Sequence, residues 1–293
     1  MLTKTELKQI LTALGRNPNK KLGQVFLTSR NIVSRIAEAA VFYQKDCAVF
    51  ELGGGLGNLT EALSHHAAWV FSVEIDKKLA ENTKMRLANL ENVTVICADA
   101  IEHGRIRTDL LKQFLQGVHK RHLSSAVFCS NIPYCISGAV LLSLPLLPHP
   151  FSFATLMTQK EVFERISASP GSKNFGLLSI LLQRFFKIKK LFDVPRRNFY
   201  PIPEVDSTVV RLEFIRRVAN HQEYEQEISI LERIFRFRRK TLLRSLELGF
   251  ALEHSKASHI IESVGDVGAM RAEQLPAESF WTLVGVLKSL CPD

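Results

Sequence analysis

The chain has 293 residues, of which 46% are hydrophobic, and a formal net charge of +9 at pH 7. This length suits one large domain and one small one, and the hydrophobic content excludes a disordered, low-complexity chain. No stretch approaches the ~20 apolar residues of a membrane span, and the N-terminus lacks the apolar core of a signal peptide. A cytoplasmic protein without a membrane partner is therefore predicted. The positive charge favours a polyanionic partner, most simply a nucleic acid.

The cysteines and histidines give no sign of a metal or a disulfide framework. The five cysteines are scattered without a Cys-x-x-Cys spacing, at Cys47, Cys97, Cys129, Cys135 and Cys291. Three of them lie in strongly apolar runs, which is typical of reduced, buried thiols. The nine histidines also lack metal-ligand spacing. We therefore predict neither a disulfide framework nor a metal site.

The first half of the chain begins with helices and then alternates between strands and helices. A helix is predicted over residues 3–14, then a basic loop over 15–21 and a second helix that Ser29 or Asn31 can cap. Buried strands are predicted over residues 47–52, 69–74, 93–97 and 125–129. Helices are predicted over residues 58–65 and 76–90, the latter with Asp76 as its N-cap. Such alternation produces a parallel sheet with helices on both faces.

The second half of the chain changes character near residue 216. The predicted elements before that point are a helix over residues 138–147, a strand over 151–157, a helix from about 159, a further helix after a loop at 169–172, and a strand over 208–214. Residues 199–203 are predicted to be an irregular loop stiffened by proline. Charged helices without strand runs follow from residue 216. We predict an α/β domain over residues 1–215, with a helical extension at 1–28, and a small all-α domain over 216–293.

A glycine loop follows the first predicted strand, in the segment Glu51-Leu-Gly-Gly-Gly-Leu-Gly57. In an open parallel sheet, ligands bind beyond the carboxyl ends of the strands. Gly53, Gly55 and Gly57 give the spacing G-x-G-x-G, and position 58 is Asn, so the dinucleotide pattern G-x-G-x-x-G is not met. The spacing favours the cofactor loop of a methyltransferase over that of an NAD-dependent enzyme.

Two acidic residues end the next two predicted strands. Glu74 can accept hydrogen bonds from both hydroxyls of a ribose, and Asp99 can accept from an adenine amino group, because a carboxylate only accepts. Each residue alone also fits a helix cap. Both together, after a glycine loop, predict S-adenosylmethionine as the cofactor.

A third motif, Asn131-Ile-Pro-Tyr134, follows the fourth predicted strand and is typical of enzymes that methylate an exocyclic amino group of a nucleobase. Adenine N6 is a poor nucleophile because its lone pair is delocalised into the ring. The side-chain oxygen of Asn131 and a backbone carbonyl near Ile132 or Pro133 can bind its two N–H groups and stabilise the developing positive charge. Pro133 stiffens the loop, and Tyr134 offers a face on which a base can stack.

A second aromatic residue is predicted to complete the base site. Phe199, on the proline-rich loop, can sandwich the base against Tyr134, and Tyr200 is the competing candidate. Both are also compatible with ordinary core positions.

Basic residues are densest over residues 235–244, which read Phe-Arg-Phe-Arg-Arg-Lys-Thr-Leu-Leu-Arg. Arg and Lys interleaved with aromatic residues suit a phosphate backbone, although a solvated amphipathic helix has the same appearance. The predicted RNA-binding residues are Lys20, Lys21, Arg238, Arg239, Lys240 and Arg244. A smaller basic cluster comprises Lys187, Lys189 and Lys190.

These motifs, in this order, resemble the adenine N6,N6-dimethyltransferases of ribosomal small-subunit RNA, the KsgA family. The likeness runs from about residue 20 to 244 and is carried by residues 21–27, 51–57, 73–76, 131–137, 159–162, 199–207 and 238–242. It implies a Rossmann-like, seven-stranded class I methyltransferase sheet with a small helical C-terminal domain. It also implies dimethylation of two adjacent adenosines in a hairpin near the 3′ end of small-subunit rRNA, on the immature 30S-type subunit. The family's cofactor contacts fall on Val25, Leu27, Gly53, Glu74, Asp99 and Asn131.

The chain departs from the family at a few positions. Val25 stands where Asn is usual, so only a backbone contact is expected there. Gly54 replaces a usual Pro, which is expected to loosen the glycine loop. Cys135 and Gly138 replace the usual Asn and Thr. These departures bear on affinity and rate more than on reaction type.

Four other functions are compatible with parts of this pattern. The nearest is a large-subunit rRNA adenine methyltransferase of the macrolide-resistance type, which shares fold and motifs. A DNA adenine methyltransferase usually has two prolines in its catalytic motif, and a dinucleotide oxidoreductase fails on the glycine spacing. From a different class, the protein could serve mainly as a non-catalytic assembly factor of the small subunit. A monomer is expected, because the basic face must dock on a large ribonucleoprotein.

Overall fold

The structure is a computed structural model that describes residues 1–42, 44 and 46–290, without the side chains of Lys20 and Leu290. The chain forms two compact units: Met1–Phe163 with Lys187–Phe214, and Glu164–Phe186 with Ile215–Asp293. Residues 164–186 therefore pack with the C-terminal helices, although the sequence places them in the first domain. The difference arises because helix 177–185 buries its apolar face in the second unit.

The first unit is built on a seven-stranded sheet, whose strands are β2 (Cys47–Leu52), β3 (Trp69–Glu74), β4 (Val93–Cys97), β7 (Ser125–Asn131), β8 (Phe151–Gln159), β9 (Phe186–Val194) and β11 (Ser207–Phe214). Their order in the sheet is β4-β3-β2-β7-β8-β11-β9. The shorter strands are β1 (Phe26–Leu27), β5 (Ile101–Glu102), β6 (Arg105–Ile106) and β10 (Phe199–Tyr200). Strands β4, β3, β2, β7 and β8 are parallel, and β11 is antiparallel to β8. The predicted parallel sheet is confirmed.

The helices accompany this sheet and fill the second unit. Those that begin in the first unit are α1 (Lys4–Ala13), α2 (Arg30–Val41), α3 (Asn58–Ser64), α4 (Lys77–Arg86), α5 (Thr108–Lys120), α6 (Ser137–Ser143) and α7 (Lys160–Ile166). Those of the second unit are α8 (Leu177–Phe185), α9 (His221–Arg236), α10 (Leu242–Phe250), α11 (His254–Val264) and α12 (Ala277–Leu290). Asp76 caps α4 as predicted, since its side chain accepts from the backbone N–H groups of Lys78 and Leu79. Ser29 takes the N-cap position of α2 but makes no side-chain cap bond.

Aromatic packing fixes one face of the sheet. The ring of Phe50 on β2 lies 5.6 Å from Phe71, 5.7 Å from Phe128 and 5.4 Å from Phe114, measured between centroids. Burial of large aromatic side chains is among the strongest contributions to a core. This packing holds the strands whose carboxyl ends carry the predicted motifs.

Several elements of the first unit were not predicted from the sequence, and the longest of them are helix α5 and strand β9. Helix α5 buries Leu110, Phe114 and Val118 at helical spacing, but Gly117 interrupts the pattern. A Cβ atom on Gly117 would lie 2.2 Å from the ring of Trp69, so that glycine is required by packing. Strand β9 has the sequence FKIKKLFDV, in which lysines alternate with apolar residues. Exposed lysines of this kind are common on an edge strand, where they oppose aggregation.

The proline-rich loop is more regular than predicted. Phe199 and Tyr200 form strand β10, which pairs with β1 in the register Phe26↔Tyr200 and Leu27↔Phe199. The prediction of a wholly irregular segment is therefore wrong at these two residues. The pairing ties this loop to the segment that enters α2.

The second unit has its own apolar core. Phe280 on α12 packs against Phe235 and Phe175, with ring centroids 5.5 and 6.4 Å apart. Arg184 on α8 pairs with Glu227 on α9 at 2.6 Å and lies 3.8 Å from the centroid of Trp281. These contacts explain why α8 belongs with the C-terminal helices.

Within the described residues, none of the helices is long and apolar enough to cross a membrane. The described part of the chain likewise holds no group of three or more His, Cys, Asp or Glu side chains that could bind a metal ion. Cys291 lies outside the described residues.

Candidate cofactor and catalytic site

A cavity of about 420 Å³ opens at the carboxyl ends of β2, β3, β4 and β7, within the first unit. Three segments of the chain line most of it: residues 21–27, the glycine loop 52–56 and the catalytic loop 131–136. Val25, Leu27, Gly53, Gly55, Glu74, Asp99, Asn131, Pro133 and Tyr134 all line this cavity, as does Lys21. The structure therefore brings together every predicted cofactor residue and all predicted catalytic residues except Phe199.

The glycine loop lies against the end of β3. The backbone N–H of Gly53 donates to the carbonyl of Val73 at 2.8 Å, and that of Gly57 donates to the carbonyl of Gly54 at 2.8 Å. Gly53 and Gly55 have φ of +79° and +57°, a region that favours glycine. A Cβ atom would lie 3.4 Å from the Pro133 ring at Gly53 and 3.3 Å from the Phe26 ring at Gly55. The loop can thus pack closely against both neighbouring segments.

Glu74 is 7% exposed at the end of β3. One carboxylate oxygen accepts from the N–H of Gly55 at 2.7 Å, and the other accepts from the N–H of Asp76 at 2.8 Å. Burial raises the pKa of Glu74, and these backbone N–H groups oppose the rise. Each oxygen has a second lone pair, so the fixed carboxylate can still accept from two hydroxyl groups.

Asp99 also lines the cavity, two residues after the end of β4. It is exposed, and one of its carboxylate oxygens accepts from the N–H of Ile101 at 2.9 Å. Ile75 and Ile101 line the cavity next to these acids, and Ile75 is 44% exposed although it is apolar. An acid flanked by apolar side chains suits a flat heterocycle that carries an amino group.

The catalytic loop is held by its own backbone and side chains. Ser130 donates its hydroxyl to the carbonyl of Leu52 at 2.8 Å, and the N–H of Ile132 donates to the carbonyl of Met157 at 3.1 Å. The side-chain amide of Asn131 donates to the backbone carbonyl of Val25 at 3.3 Å. This contact uses the amide nitrogen of Asn131, a residue that lines the cavity, and the side-chain oxygen Oδ1 can only accept.

The Asn131 contact does not depend on the side chain at position 25. The partner of Asn131 is the main-chain carbonyl of residue 25, which every residue type has. The expected loss of a side-chain contact at this position therefore leaves the orientation of Asn131 intact.

Tyr134 is half-buried beside this loop. Its hydroxyl lies 3.2 Å from the hydroxyl of Ser207, the first residue of β11. Burial raises the pKa of Tyr134, and the Ser207 hydroxyl opposes the rise. Gly23 (φ +62°) approaches the same residue so closely that a Cβ atom would lie 3.1 Å from the backbone nitrogen of Tyr134. Two other segments of the chain, at Gly23 and Ser207, thus pack against Tyr134.

Phe199 does not line the cavity. It is 1% exposed and belongs to a core cluster with Leu27 and Val194. The sequence predicted that the Phe199 ring lies opposite Tyr134 at the base site. The structure instead places this ring in the core, because β10 pairs with β1. Tyr200 is half-buried and carries the ammonium of Lys8 4.9 Å from its ring centroid, and it also lies outside the cavity lining.

The other departures from the family lie at the edge of the site. Cys135 is exposed and lines the cavity. Gly138 is exposed, and a Cβ atom there would meet nothing within 4 Å. Packing therefore does not require a glycine at position 138.

Sequence reasoning missed two polar groups near the cavity. Glu51 is the first residue of the glycine motif, and the sequence pattern assigns it no function. It is 1% exposed, and burial raises its pKa to about 7, against the hydroxyls of Ser72 and Thr60, which lower it. Gln24 lines the cavity, and its side-chain nitrogen is buried without a hydrogen-bond partner in the described part of the chain. Only the proximity of both residues to recognised motifs could have drawn attention to them.

The predicted RNA-binding residues of the second unit divide into two kinds. Arg238 donates to the carbonyl of Lys173 at 2.8 Å, and Arg244 pairs with Glu247 at 2.6 Å. Arg239 and Lys240 are exposed and form no ion pair with any described residue. Lys21 is exposed in the first unit, and the side chain of Lys20 lies outside the described part.

The smaller basic cluster on β9 is mostly paired. Lys189 contacts Glu213 at 2.7 Å and Lys190 contacts Asp193 at 2.8 Å, whereas Lys187 is exposed. Such surface pairs leave Lys187 as the cation of this cluster that is best placed for a further partner.

Comparison with known proteins gives a consistent result. Residues 15–288 match the family model described as ribosomal RNA adenine dimethylase. The chain is 33% identical over 287 residues to the ribosomal RNA small subunit methyltransferase A of Natranaerobius thermophilus, with 94% of this chain and 93% of that protein covered. It is 37% identical over 282 residues to the protein of the same name from Latilactobacillus sakei, with 93% and 91% covered.

Two solved structures are also similar. A dimethyladenosine transferase from Plasmodium falciparum matches with a TM-score of 0.70 and 25% identity, covering 90% of this chain and 98% of that one. The 23S rRNA methyltransferase ErmE matches with a TM-score of 0.61 and 25% identity, covering 90% and 99%. The glycine loop, the two acids and the Asn131–Tyr134 motif meet in one cavity, and the family match spans nearly the whole chain. The chain belongs to the ribosomal RNA adenine dimethylase family.

Proposed function

We propose that this protein transfers methyl groups from S-adenosylmethionine to N6 of two adjacent adenosines in a hairpin near the 3′ end of small-subunit rRNA. The orientation of Asn131 carries the proposal. Its amide nitrogen is held by the Val25 carbonyl, which leaves its oxygen as an acceptor at the cavity that Glu74 and Asp99 line. An acceptor without a strong base suits an amino group that becomes cationic on methylation.

The cavity fits the proposed cofactor. Gly53 and Gly55 allow a ligand to approach the backbone, Glu74 presents two fixed acceptors for ribose hydroxyls, and Asp99 presents an acceptor for the adenine amino group. Val25, Leu27 and Asn131 complete the proposed contacts. When bound, S-adenosylmethionine would supply an electrophilic methyl group attached to a sulfonium.

The residues of the catalytic loop are assigned separate tasks. The Asn131 oxygen and a backbone carbonyl near Ile132 or Pro133 accept the two N–H groups of adenine N6, which favours a pyramidal nitrogen with its lone pair free. Tyr134, fixed by Ser207, stacks on the base, a contact worth roughly 1–3 kcal/mol. Holding the nitrogen in line with the methyl group supplies much of the remaining rate enhancement.

The proposed substrate is small-subunit rRNA within an immature 30S-type subunit, acted on in the cytoplasm by a monomeric protein. The relatives that are 33% and 37% identical carry a small-subunit name and match over more than nine tenths of this chain. The large-subunit enzyme ErmE matches at 25% identity. This difference favours the small-subunit substrate over the large-subunit alternative. Exposed Arg239, Lys240 and Lys21 are assigned to RNA phosphates.

The proposal is tested by incubating purified protein and labelled S-adenosylmethionine with undermethylated small subunits, large subunits or naked DNA, followed by mapping of the modified base. We expect dimethyladenosine at two adjacent positions of small-subunit RNA. Label confined to the large subunit would favour the resistance-type activity instead. Tight binding to small subunits with no label in any substrate would indicate that assembly, without catalysis, is the main role.

A further inference from the structure

A buried polar cluster lies beneath the glycine loop and outside the lining of the cavity. It consists of Glu51 on β2, Thr60 on α3 and Ser72 on β3, which are 1%, 0% and 0% exposed. The hydroxyl of Thr60 donates to the Glu51 carboxylate at 2.6 Å and lies 3.4 Å from the hydroxyl of Ser72. Glu51 and Ser72 are also direct neighbours in the register of β2 and β3. The cluster therefore joins the three elements that surround the loop.

Gly54 packs directly against this cluster. Unlike Gly53, Gly55 and Gly57, it does not adopt a positive φ, so its backbone conformation does not require glycine. A Cβ atom on Gly54 would lie only 2.2 Å from the hydroxyl oxygen of Ser72. Its next contacts, at 3.4 Å to Thr60 and 3.6 Å to Glu51, are close to ordinary distances. The absence of a side chain at residue 54 is thus required by one atom, the hydroxyl oxygen of Ser72.

The close approach of Gly54 to the Ser72 hydroxyl gives a structural reason for the glycine at position 54, where the family usually has proline. A loosened loop was expected, but the N–H groups of Gly53 and Gly54 both point to the carbonyl of Val73, at 2.8 and 3.3 Å. The Ser72 hydroxyl occupies the volume in which a side chain of residue 54 would lie. A buried site without spare volume cannot accept an added methyl group unless a neighbour moves.

We propose that Ser72 is a positioning residue for the cofactor loop, and that Gly54 and Ser72 form a compensating pair that must be exchanged together. The proposal rests on the proposed function, because the loop they shape is the proposed cofactor loop. Ser72 does not line the cavity and acts through Gly54, which lines it together with Gly53 and Gly55. A shift of this loop by a fraction of an ångström is expected to weaken cofactor binding while the catalytic loop stays in place.

The test is a double-mutant cycle on the full-length protein with Gly54→Ala, Ser72→Ala and the combined variant. The Kd for S-adenosylmethionine is measured by calorimetry without RNA, and KM and kcat are measured on undermethylated small subunits. We expect Gly54→Ala to raise Kd and KM about tenfold and Ser72→Ala to raise them less than about threefold. In the combined variant, Kd should return to within about threefold of that of Ser72→Ala, with kcat nearly unchanged throughout. Rescue of this kind would not follow from independent structural roles.

The control is Gly285→Ala on α12, where a Cβ atom would meet nothing within 4 Å, and it should leave Kd unchanged. Additive effects, with the combined variant weaker than either single one, would overturn the proposal, as would unchanged binding by Gly54→Ala. If Gly54→Ala does not fold, recovery of folding and binding in the combined variant supports the pair, and failure of both to fold rejects it. A native protein that does not bind S-adenosylmethionine would instead reject the proposed function.

Discussion

The cavity of the first unit and the basic segment of the second unit differ in how their charged groups are used. In the cavity, Glu74 is held by two backbone N–H groups and Asn131 by a backbone carbonyl. In the basic segment, Arg238 and Arg244 have partners within the protein, while Arg239 and Lys240 have none among the described residues. The cavity is preorganised by main-chain contacts, whereas the basic segment keeps only some of its charges for a partner.

This difference shows which functional residues can be assigned from local sequence. Main-chain contacts at strand ends follow from topology and are retained whatever the neighbouring side chains are. The availability of a surface cation depends on side chains that are distant in sequence, such as the Glu273 carboxylate 3.7 Å from Arg238.

Replacement of the acceptor in the catalytic loop should have the largest effect. Asn131→Ala removes the side-chain oxygen proposed to bind adenine N6, and we expect kcat to fall by about 10²–10³. Methyl transfer to undermethylated small subunits measures the rate, with Asn17→Ala, an exposed loop residue, as the matched control. Full activity of Asn131→Ala would remove the basis of the proposed mechanism.

Neutralising the fixed carboxylate should weaken cofactor binding. Glu74→Gln keeps the shape of the side chain but loses the charge and one acceptor, so we expect the Kd for S-adenosylmethionine to rise about 10–100-fold. Calorimetry measures it, and Glu81→Gln on the exposed face of α4 serves as the control. An unchanged Kd would show that the preorganised carboxylate does not contact the cofactor.

The two kinds of cation in the basic segment should respond differently. Replacing Arg239 and Lys240 together by Ala should weaken RNA binding about tenfold and lower the salt dependence by about two phosphate contacts. Replacing Arg238 and Arg244 instead should lower Tm slightly, with a smaller loss of RNA affinity. Filter binding at several salt concentrations separates these outcomes. Equal losses of affinity from both double variants would abolish the distinction between paired and free cations.

The smallest effect concerns the pH dependence of stability. Because burial raises the pKa of Glu51 from 4.5 to about 7, the folded protein binds this proton more tightly than the unfolded chain does. The associated stability is complete below about pH 4.5 and is lost as pH rises through about 7. Glu51→Gln cannot ionise, so the Tm of the native protein should fall relative to that of the variant between pH 5 and pH 8. A constant difference in Tm would show that Glu51 of the folded protein does not titrate between pH 5 and pH 8.

Much of the fold and of the cavity could be predicted from the sequence because topology does most of the positioning. Glu74 and Asn131 end parallel strands of one sheet, and Asp99 follows two residues after a third, so all three lie at the same edge of the sheet. The residues that were misjudged depend on tertiary packing. Phe199 is turned inwards by the pairing of β10 with β1, and strand β9 was hidden by the lysines of an edge strand.

The role of Gly54 could not be inferred for the same reason. In the sequence it is one of three consecutive glycines, and nothing near it indicates that Ser72, eighteen positions later, supplies the atom that fills its space. Likewise the raised pKa of Glu51 depends on complete burial, which a motif does not indicate.

The most direct test of the account is the nucleoside composition of small-subunit RNA after complete reaction with the native protein, measured by mass spectrometry. The account predicts about two N6,N6-dimethyladenosines per subunit, from the two adjacent target adenosines, and almost none with Asn131→Ala. Monomethyladenosine as the final product, or equal yields from the two proteins, would contradict the claim that this cavity dimethylates adenine through Asn131.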